Sequence, residues 1–194
     1  MSRHQNPKKL QIIQSARALF WKFGMKRVSI EEICREANVS KMTYYKYFRN
    51  KNDLAMTILD IIQHEGVKKY KSIMQQNIPF EDKVKQTIQL KMDGTNNLSP
   101  EFLNDLHLNG DPEVKAHFHK IYQESIQMVL NDYIEAQKRG DIRTDIEPKF
   151  ILYFLNHMIE MTDNDQLLKL YKNPQDMIME LTNFFFYGIM PKGK

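Results

Sequence analysis

The chain of 194 residues contains a single cysteine, Cys34, and only seven glycines and seven prolines. One cysteine excludes an internal disulfide and favours a reducing compartment. No stretch approaches the ~20 consecutive apolar residues that a membrane-spanning helix needs. Residues 1–10 are polar and basic, unlike the start of a secretory signal. These absences predict a cytoplasmic protein with no membrane segment.

The sequence also lacks the patterns on which most enzymes and metal sites depend. It contains no glycine-rich phosphate loop, no Ser-His-Asp order and no paired-carboxylate motif. His117 and His119 are two residues apart on a predicted helix, so they do not share a face. Together with His107 they are interpreted as structural or solvated rather than metal-binding. We therefore expect no enzymatic activity, no cofactor and no metal.

Charge is distributed unevenly along the chain. Residues 1–51 carry twelve Lys or Arg and three Glu, a balance of +9, whereas residues 52–194 carry a balance of −5. A basic segment joined to an acidic one is typical of a phosphate-binding module attached to a module of another function. A solvated basic face without a partner explains the same charges, so charge alone leaves both interpretations open.

Helical periodicity extends over nearly the whole chain, without an internal repeat or an alternating strand pattern of useful length. Proline suits the first turn of several predicted helices, and glycine suits their ends. About nine helices are predicted, near residues 7–23, 30–37, 41–48, 51–76, 80–93, 100–108, 112–139, 148–172 and 174–190.

The second and third predicted helices are short and are joined by a three-residue turn. Ser29 and Glu32 have the spacing of a capping box at the start of the second helix. Asn38 tolerates left-handed geometry in the turn, and Ser40 is positioned as the next N-cap. This arrangement is typical of a helix-turn-helix, whose second helix presents its N-terminal residues to the DNA major groove.

The predicted recognition helix has an inward and an outward face. Tyr44 and Phe48, four residues apart, should pack inward. The residues expected to project outward are Lys41, Met42, Thr43 and Tyr45. The aromatics of residues 44–48 cannot all be buried on one short helix, which favours a binding partner. The alternative is a three-helix packing unit with surface tyrosines.

The stretch from Ile12 to Leu54 resembles the tetracycline-repressor (TetR) family, through IIQSARALFWKFG and SIEEICREANVSKMTYYKYFRNKNDL. The matching positions are Ala37, Val39, Ser40, Tyr44, Tyr45, Tyr47, Phe48, Lys51 and Leu54. By position, the resemblance implies that phosphates are bound by Ser29, Thr43, Tyr47 and Lys51. It implies that bases or the adjoining backbone are met by Lys41, Met42, Thr43 and Tyr45.

Three positions depart from the family pattern. Met42 occupies a position that is often small, Tyr44 replaces a usual leucine, and Tyr47 replaces a frequent histidine. Met42 offers only apolar contact, for example to a thymine methyl group. The operator sequence is therefore not predicted.

The resemblance implies an all-α fold with a helix-turn-helix DNA-binding domain at 1–51 and a helical effector-binding and dimerisation domain at 52–194. The implied function is transcription regulation, by a repressor that a small-molecule effector releases from its operator. An activator or a partner-controlled DNA-binding protein is the first alternative. A helical small-molecule binding protein or an enzyme is the second.

Helix-turn-helix proteins usually bind DNA as two-fold dimers, and the last two predicted helices are the candidates for a four-helix dimer interface. The predicted interface residues are Phe150, Phe154, His157, Met161, Leu181, Phe184, Phe185 and Gly188. Three adjacent aromatics at 184–186 point in three directions, so at least one needs a neighbour beyond its own helix contact. Intramolecular core is the alternative.

The resemblance also implies a ligand cavity among the middle helices. The residues proposed to line it are Ile88, Met92, Phe102, Leu106, Phe118, Tyr122 and Met158. An apolar lining predicts a small, largely apolar effector. Taken singly, each of these residues is better interpreted as an ordinary core position.

Overall fold

The computed structural model describes residues 6–162 and 164–191. Residues 1–5, on which part of the signal-peptide interpretation depends, lie outside the described residues. The described part contains no strand and ten helices, which confirms the all-α fold. They are α1 (Pro7–Phe23), α2 (Ile30–Glu36), α3 (Lys41–Tyr45), α4 (Lys51–Met74), α5 (Phe80–Gly94), α6 (Pro100–His107), α7 (Pro112–Lys138), α8 (Pro148–Met161), α9 (Asp165–Leu168) and α10 (Pro174–Ile189).

The described residues contain one helix more than the nine predicted, because the continuous helix expected over 148–172 is divided into two. The Asn164 side chain accepts hydrogen bonds from the backbone N–H groups of Gln166 and Leu167, at 2.9 and 3.0 Å. This cap starts α9 as a separate turn, since the capping residue itself stands outside the helical backbone conformation.

Helix α1 follows its sequence signals closely. Asn6 caps it by accepting from the Lys8 N–H at 3.1 Å, and its buried side is formed by residues four apart, Ile12, Ala16 and Phe20. Gly24 ends the helix with φ 79° and ψ 158°, a region that essentially only glycine adopts.

Packing divides the chain into two compact units. The first comprises residues up to 62 together with 97–119, and the second comprises 63–96 together with the residues from 120 onwards. The packing boundary therefore differs from the division at residue 51, because α6 and the start of α7 join the first unit. The functional division at residue 51 stays a prediction.

In the first unit, α6 packs on α1 and on the turn that follows it. The ring centroids of Trp21 and Phe102 are 4.5 Å apart, and the buried Asp105 carboxylate accepts from the Lys26 N–H at 2.7 Å. A Cβ at Gly24 would lie 2.7 Å from the Asp105 carboxylate. Glycine is thus required here by space as well as by backbone conformation.

The second unit has its own apolar core, in which α10 packs on α5, α7 and α8. Its buried residues are Phe80, Val84, Ile126, Leu130, Tyr133, Ala136, Ile142, Ile151, Leu155, Phe185, Phe186 and Ile189. Within the residues that the structure describes, no helix is long and apolar enough to cross a membrane.

Candidate nucleic-acid interface

The start of α2 is held by the capping box that the sequence predicts. The Glu32 N–H donates to the Ser29 hydroxyl at 3.2 Å, and the Ser29 N–H donates to the Glu32 carboxylate at 2.8 Å. The Ser29 hydroxyl also donates to that carboxylate, at 3.0 Å. Because its hydroxyl is already engaged, the phosphate contact implied for Ser29 stays a prediction.

The turn between α2 and α3 has the predicted chemistry. Asn38 has a positive φ of 50°, and the Ser40 hydroxyl accepts from the Thr43 N–H at 3.1 Å. The Ser40 and Thr43 hydroxyls are also 3.0 Å apart. Thr43 is half-buried and its hydroxyl takes part in this turn; the phosphate contact implied for it stays a prediction.

Helix α3 is shorter than the sequence predicts. It ends at Tyr45 rather than near Phe48, although the N–H groups of Tyr47 and Phe48 still donate to the Tyr44 carbonyl at 2.9 and 3.1 Å. The buried Tyr44 hydroxyl donates to the Asn50 carbonyl at 3.1 Å, which holds the chain in its turn towards α4. Tyr47 consequently lies in this turn, half-buried, rather than on the helix.

The predicted inward and outward faces of α3 are confirmed. Tyr44 is 0% and Phe48 2% exposed, with ring centroids 5.7 Å apart. By contrast, Met42 is 71% and Tyr45 55% exposed. Large apolar groups left open at the start of a recognition helix are suited to contact with base edges.

Lys41 is exposed but not isolated. Its ammonium forms an ion pair with the Glu31 carboxylate of α2. The Glu31 contact raises the pKa of Lys41, and the same hydrogen bond lowers the pKa of Glu31. A phosphate or base must therefore compete with Glu31 for the Lys41 ammonium.

The Lys51 ammonium is engaged within the protein. It donates to the carbonyls of Lys26 and Val28 at 3.1 and 2.8 Å, which fastens the start of α4 to the turn after α1. Burial lowers its pKa, an effect that Asp105 opposes. The sequence suggested an anionic partner for this cation; the structure provides two backbone carbonyls and a nearby carboxylate. A phosphate contact by Lys51 stays a prediction.

Lys46 is a candidate that the sequence argument missed. It is exposed immediately after α3, next to Tyr45, and no residue that the structure describes forms an ion pair or hydrogen bond with its ammonium. Its position between two tyrosines was the available signal, since a lysine interleaved with aromatics is typical of nucleic-acid surfaces.

The seven residues predicted to line one cavity are divided between the two units. Phe102, Leu106 and Phe118 belong to the first unit, where α6 packs on α1. Met92 is exposed, and Ile88 packs against the core of the second unit. Because α6 groups with the first unit, a single cavity lined by all seven residues stays a prediction.

Two of the seven, Tyr122 and Met158, do line a cavity of about 180 Å³ in the second unit. Its walls come from α4, α5, α7, α8 and α10 and are mainly apolar, with aliphatic, phenylalanine and tyrosine side chains. Leu181 and Phe185, predicted at a dimer interface, contribute to these walls.

The remaining predicted interface residues divide between core and surface. Phe185 is buried and stacks on Phe154 with ring centroids 5.8 Å apart, so it is core rather than surface. His157 and Leu181 are half-buried, and the exposed members are Phe150, Met161, Phe184 and Gly188.

Exposed aromatics nevertheless lie on both α8 and α10. Phe184 is 72% exposed, and Tyr153 and Tyr187 are also exposed. Tyr153 and Tyr187 each lie three residues after an exposed phenylalanine, on the same helix face. The sequence argument missed both, although this spacing was visible. Beside the phenylalanines, a groove of about 490 Å³ is bordered by Arg143 and Glu147.

Comparison with known proteins agrees with this geometry. Residues 12–68 match the model of the family described as bacterial regulatory proteins, tetR family. The HTH-type transcriptional regulator YdgC of Bacillus subtilis is 24% identical over 187 residues, which cover 94% of this chain and 93% of that protein. The regulator YhgD of the same organism is 24% identical over 138 residues, covering 70% and 72%.

Solved structures share the fold. The regulatory protein TetR from Rhodobacter sphaeroides superposes with a TM-score of 0.74 at 16% identity, covering 95% of this chain and 100% of that one. The fatty acid degradation regulator FadR from Bacillus halodurans has a TM-score of 0.73 at 17% identity, covering 96% and 98%. A transcriptional regulator from Saccharomonospora viridis in complex with choline has a TM-score of 0.74 at 17% identity, covering 97% and 100%.

A helix-turn-helix with an open recognition face, in a chain that is otherwise helical, defines a DNA-binding transcription regulator. The matched segment contains the entire helix-turn-helix, and the fold agrees over nearly the full chain. Residues 12–68 are the part of the chain that matches the tetR family of bacterial regulatory proteins.

Proposed function

We propose that this protein represses transcription by binding an operator as a homodimer and that a small, largely apolar effector releases it. The observation that carries the DNA-binding part is the contrast within α3. Tyr44 and Phe48 are buried, whereas Met42 and Tyr45 stand open beside Lys41. In this arrangement the first turn of α3 enters the major groove, and the basic residues around it contact phosphates.

We expect a dimer because a single recognition helix can specify only a short DNA sequence. A helix of five residues contacts few base pairs, so two half-sites are needed for useful specificity. The exposed aromatics of α8 and α10 supply an apolar face of the kind that dimers bury, with Phe150 and Phe184 at its centre. Two helices from each protomer would form a four-helix bundle.

Effector release depends on α4, which contributes residues to both functions. Its first residue, Lys51, is fastened to the turn before α2, and Tyr70 near its other end lines the cavity of the second unit. If the effector binds only one of the positions that α4 can adopt, it favours that position and with it one spacing between the two recognition helices of the dimer. Solved relatives in the family include a complex with stearoyl-CoA and one with choline. In this chain the cavity is the proposed site, and the protein acts in the cytoplasm, where its DNA is.

Binding to a pool of random duplexes at two salt concentrations tests the proposal. We expect salt-dependent affinity and enrichment of a two-fold symmetric sequence. Tyr45→Ala should change the enriched sequence, whereas Lys46→Ala should weaken all duplexes alike and reduce the salt slope by about 1. Lys69→Ala, an exposed lysine of α4 outside the helix-turn-helix, is the matched control. Affinity that is independent of salt and of Tyr45 would refute the proposal.

The sign of regulation needs a separate measurement. A reporter fused to the DNA upstream of the gene for this protein should be expressed more strongly when the gene is deleted. Lower expression in the deletion strain would show an activator. Footprinting of the same DNA should show protection by the wild-type protein and none by Tyr45→Ala.

A further inference from the structure

The cavity of the second unit has one cationic side chain and no acidic one among its lining residues. Lys91 of α5 reaches it, and the other polar members are tyrosines and threonines. Most of the wall is apolar, formed by residues such as Ile126, Leu155, Met158 and Phe186. A single positive charge against an apolar wall suits a ligand with one negative group and an apolar body.

The Lys91 ammonium has no ion pair or hydrogen bond to any residue that the structure describes. Although the residue as a whole is exposed, the protein atoms around its ammonium lower its pKa by desolvation, and no carboxylate opposes this effect. Lys85, which lies earlier on the same helix, differs because it forms ion pairs with Glu81 and Asp82 at 3.0 and 3.3 Å. Of these two lysines of α5, only Lys91 has an ammonium group that is available to bind a ligand.

A second polar group in the cavity wall is also unsatisfied. The Tyr70 hydroxyl is buried and no described residue satisfies it with a hydrogen bond of normal geometry, although the Asp132 carboxylate lies close enough to interact with it. Three other cavity hydroxyls are already paired: Tyr122 donates to the Leu155 carbonyl at 2.8 Å, Thr87 to the Lys83 carbonyl at 2.9 Å and Thr182 to the Ile178 carbonyl at 2.7 Å. A buried hydroxyl without a partner is costly, so a ligand that supplies an acceptor gains affinity there.

We propose that the cavity binds a short-chain monocarboxylate, with its carboxylate on Lys91, an acceptor for the Tyr70 hydroxyl, and its hydrocarbon chain along the apolar wall. This rests on the proposed effector site and names the chemical class of the effector. The cavity of about 180 Å³ equals the volume of about six liquid waters. That space is sufficient for a carboxylate of roughly six carbons.

Calorimetric titration of the full-length protein with hexanoate, 1-hexanol and hexylamine tests this directly. The three share one chain and differ in the head group. We expect hexanoate to bind at least about tenfold more tightly than hexanol, and hexylamine not to bind. Equal affinities for hexanoate and hexanol, or no hexanoate binding, would overturn the proposal.

Substitutions of single lysines test whether Lys91 binds the carboxylate of the ligand. Lys91→Met should weaken hexanoate at least about tenfold and leave hexanol nearly unchanged, whereas Lys91→Arg should retain most of the hexanoate affinity. Lys85→Met is the matched control and should bind as the wild type does. Wild-type affinity in Lys91→Met would overturn the proposal even if the cavity is occupied. Thermal unfolding of each variant shows that it is folded.

Measuring the release of operator DNA by the same compounds, beside the titration, separates the two proposals. If hexanoate binds through Lys91 but does not release DNA, the ligand class stands and effector release fails. If another compound releases DNA while hexanoate does not bind, effector release stands and the ligand class fails.

Discussion

The Lys51 ammonium donates to the Val28 carbonyl at 2.8 Å, across 23 positions of sequence. This bond and its companion to Lys26 fasten the first residue of α4 to the turn that precedes α2. Together with the Tyr44 hydroxyl bond to the Asn50 carbonyl, Lys51 thus fixes the position of the helix-turn-helix relative to the start of α4. Lys51 has a structural role whether or not it also contacts a phosphate.

Replacing Lys51 by methionine should therefore lower the free energy of unfolding. The substitution leaves two backbone carbonyls without their donor, which costs about 1–3 kcal/mol. Denaturant unfolding measures the change. Lys46→Met is the matched control, because Lys46 is exposed and makes no such bond. Unchanged stability in Lys51→Met would show that water replaces the ammonium at no cost.

Glu31→Gln should increase affinity for duplex DNA. The substitution removes the carboxylate that holds the Lys41 ammonium and also removes a negative charge from the DNA-facing side. One additional phosphate contact should steepen the salt slope by about 1. Fluorescence anisotropy at several salt concentrations measures both changes. Glu36→Gln, which removes an exposed carboxylate of α2 that forms no ion pair with any described residue, should have the smaller effect. Equal effects would indicate only a change in net charge.

Stability of the first unit should decrease below pH 6.5 because of His107. Burial lowers its pKa from 6.5 to about 4, so between these values the unfolded chain binds a proton that the folded chain does not. Unfolding free energy should therefore fall as the pH drops through this window, by about 3 kcal/mol in all. Denaturant unfolding at several pH values should show a flatter profile for His107→Gln. The exposed His64→Gln should keep the wild-type profile.

Phe184→Glu should dissociate the proposed homodimer without unfolding the chain. Phe184 is 72% exposed in the protomer, so a glutamate there is solvated in the monomer but buried without a partner in the dimer. Sedimentation velocity should show a monomer and a loss of operator affinity. Leu170→Glu is the control, since Leu170 is equally exposed but lies outside α8 and α10. A Phe184→Glu protein that remains dimeric would place the interface elsewhere.

The parts of the site that were predictable are those whose contacts are local. The Ser29–Glu32 capping box and the Ser40 cap join residues three apart, and their geometry follows from residue type and spacing. The burial of Tyr44 and Phe48 against the exposure of Tyr45 follows in the same way from helical periodicity.

The sequence by itself determined the helices, their caps and the two faces of the recognition helix, because those depend on neighbours within about one turn. Only the tertiary structure decided what the long-range partners are. Asp105 reaches the Lys26 N–H across 79 positions, which places α6 in the first unit. Tyr70 and Lys91 border one cavity from different helices. Such long-range contacts depend on how the helices pack together. The same amphipathic pattern allows several arrangements of packed helices.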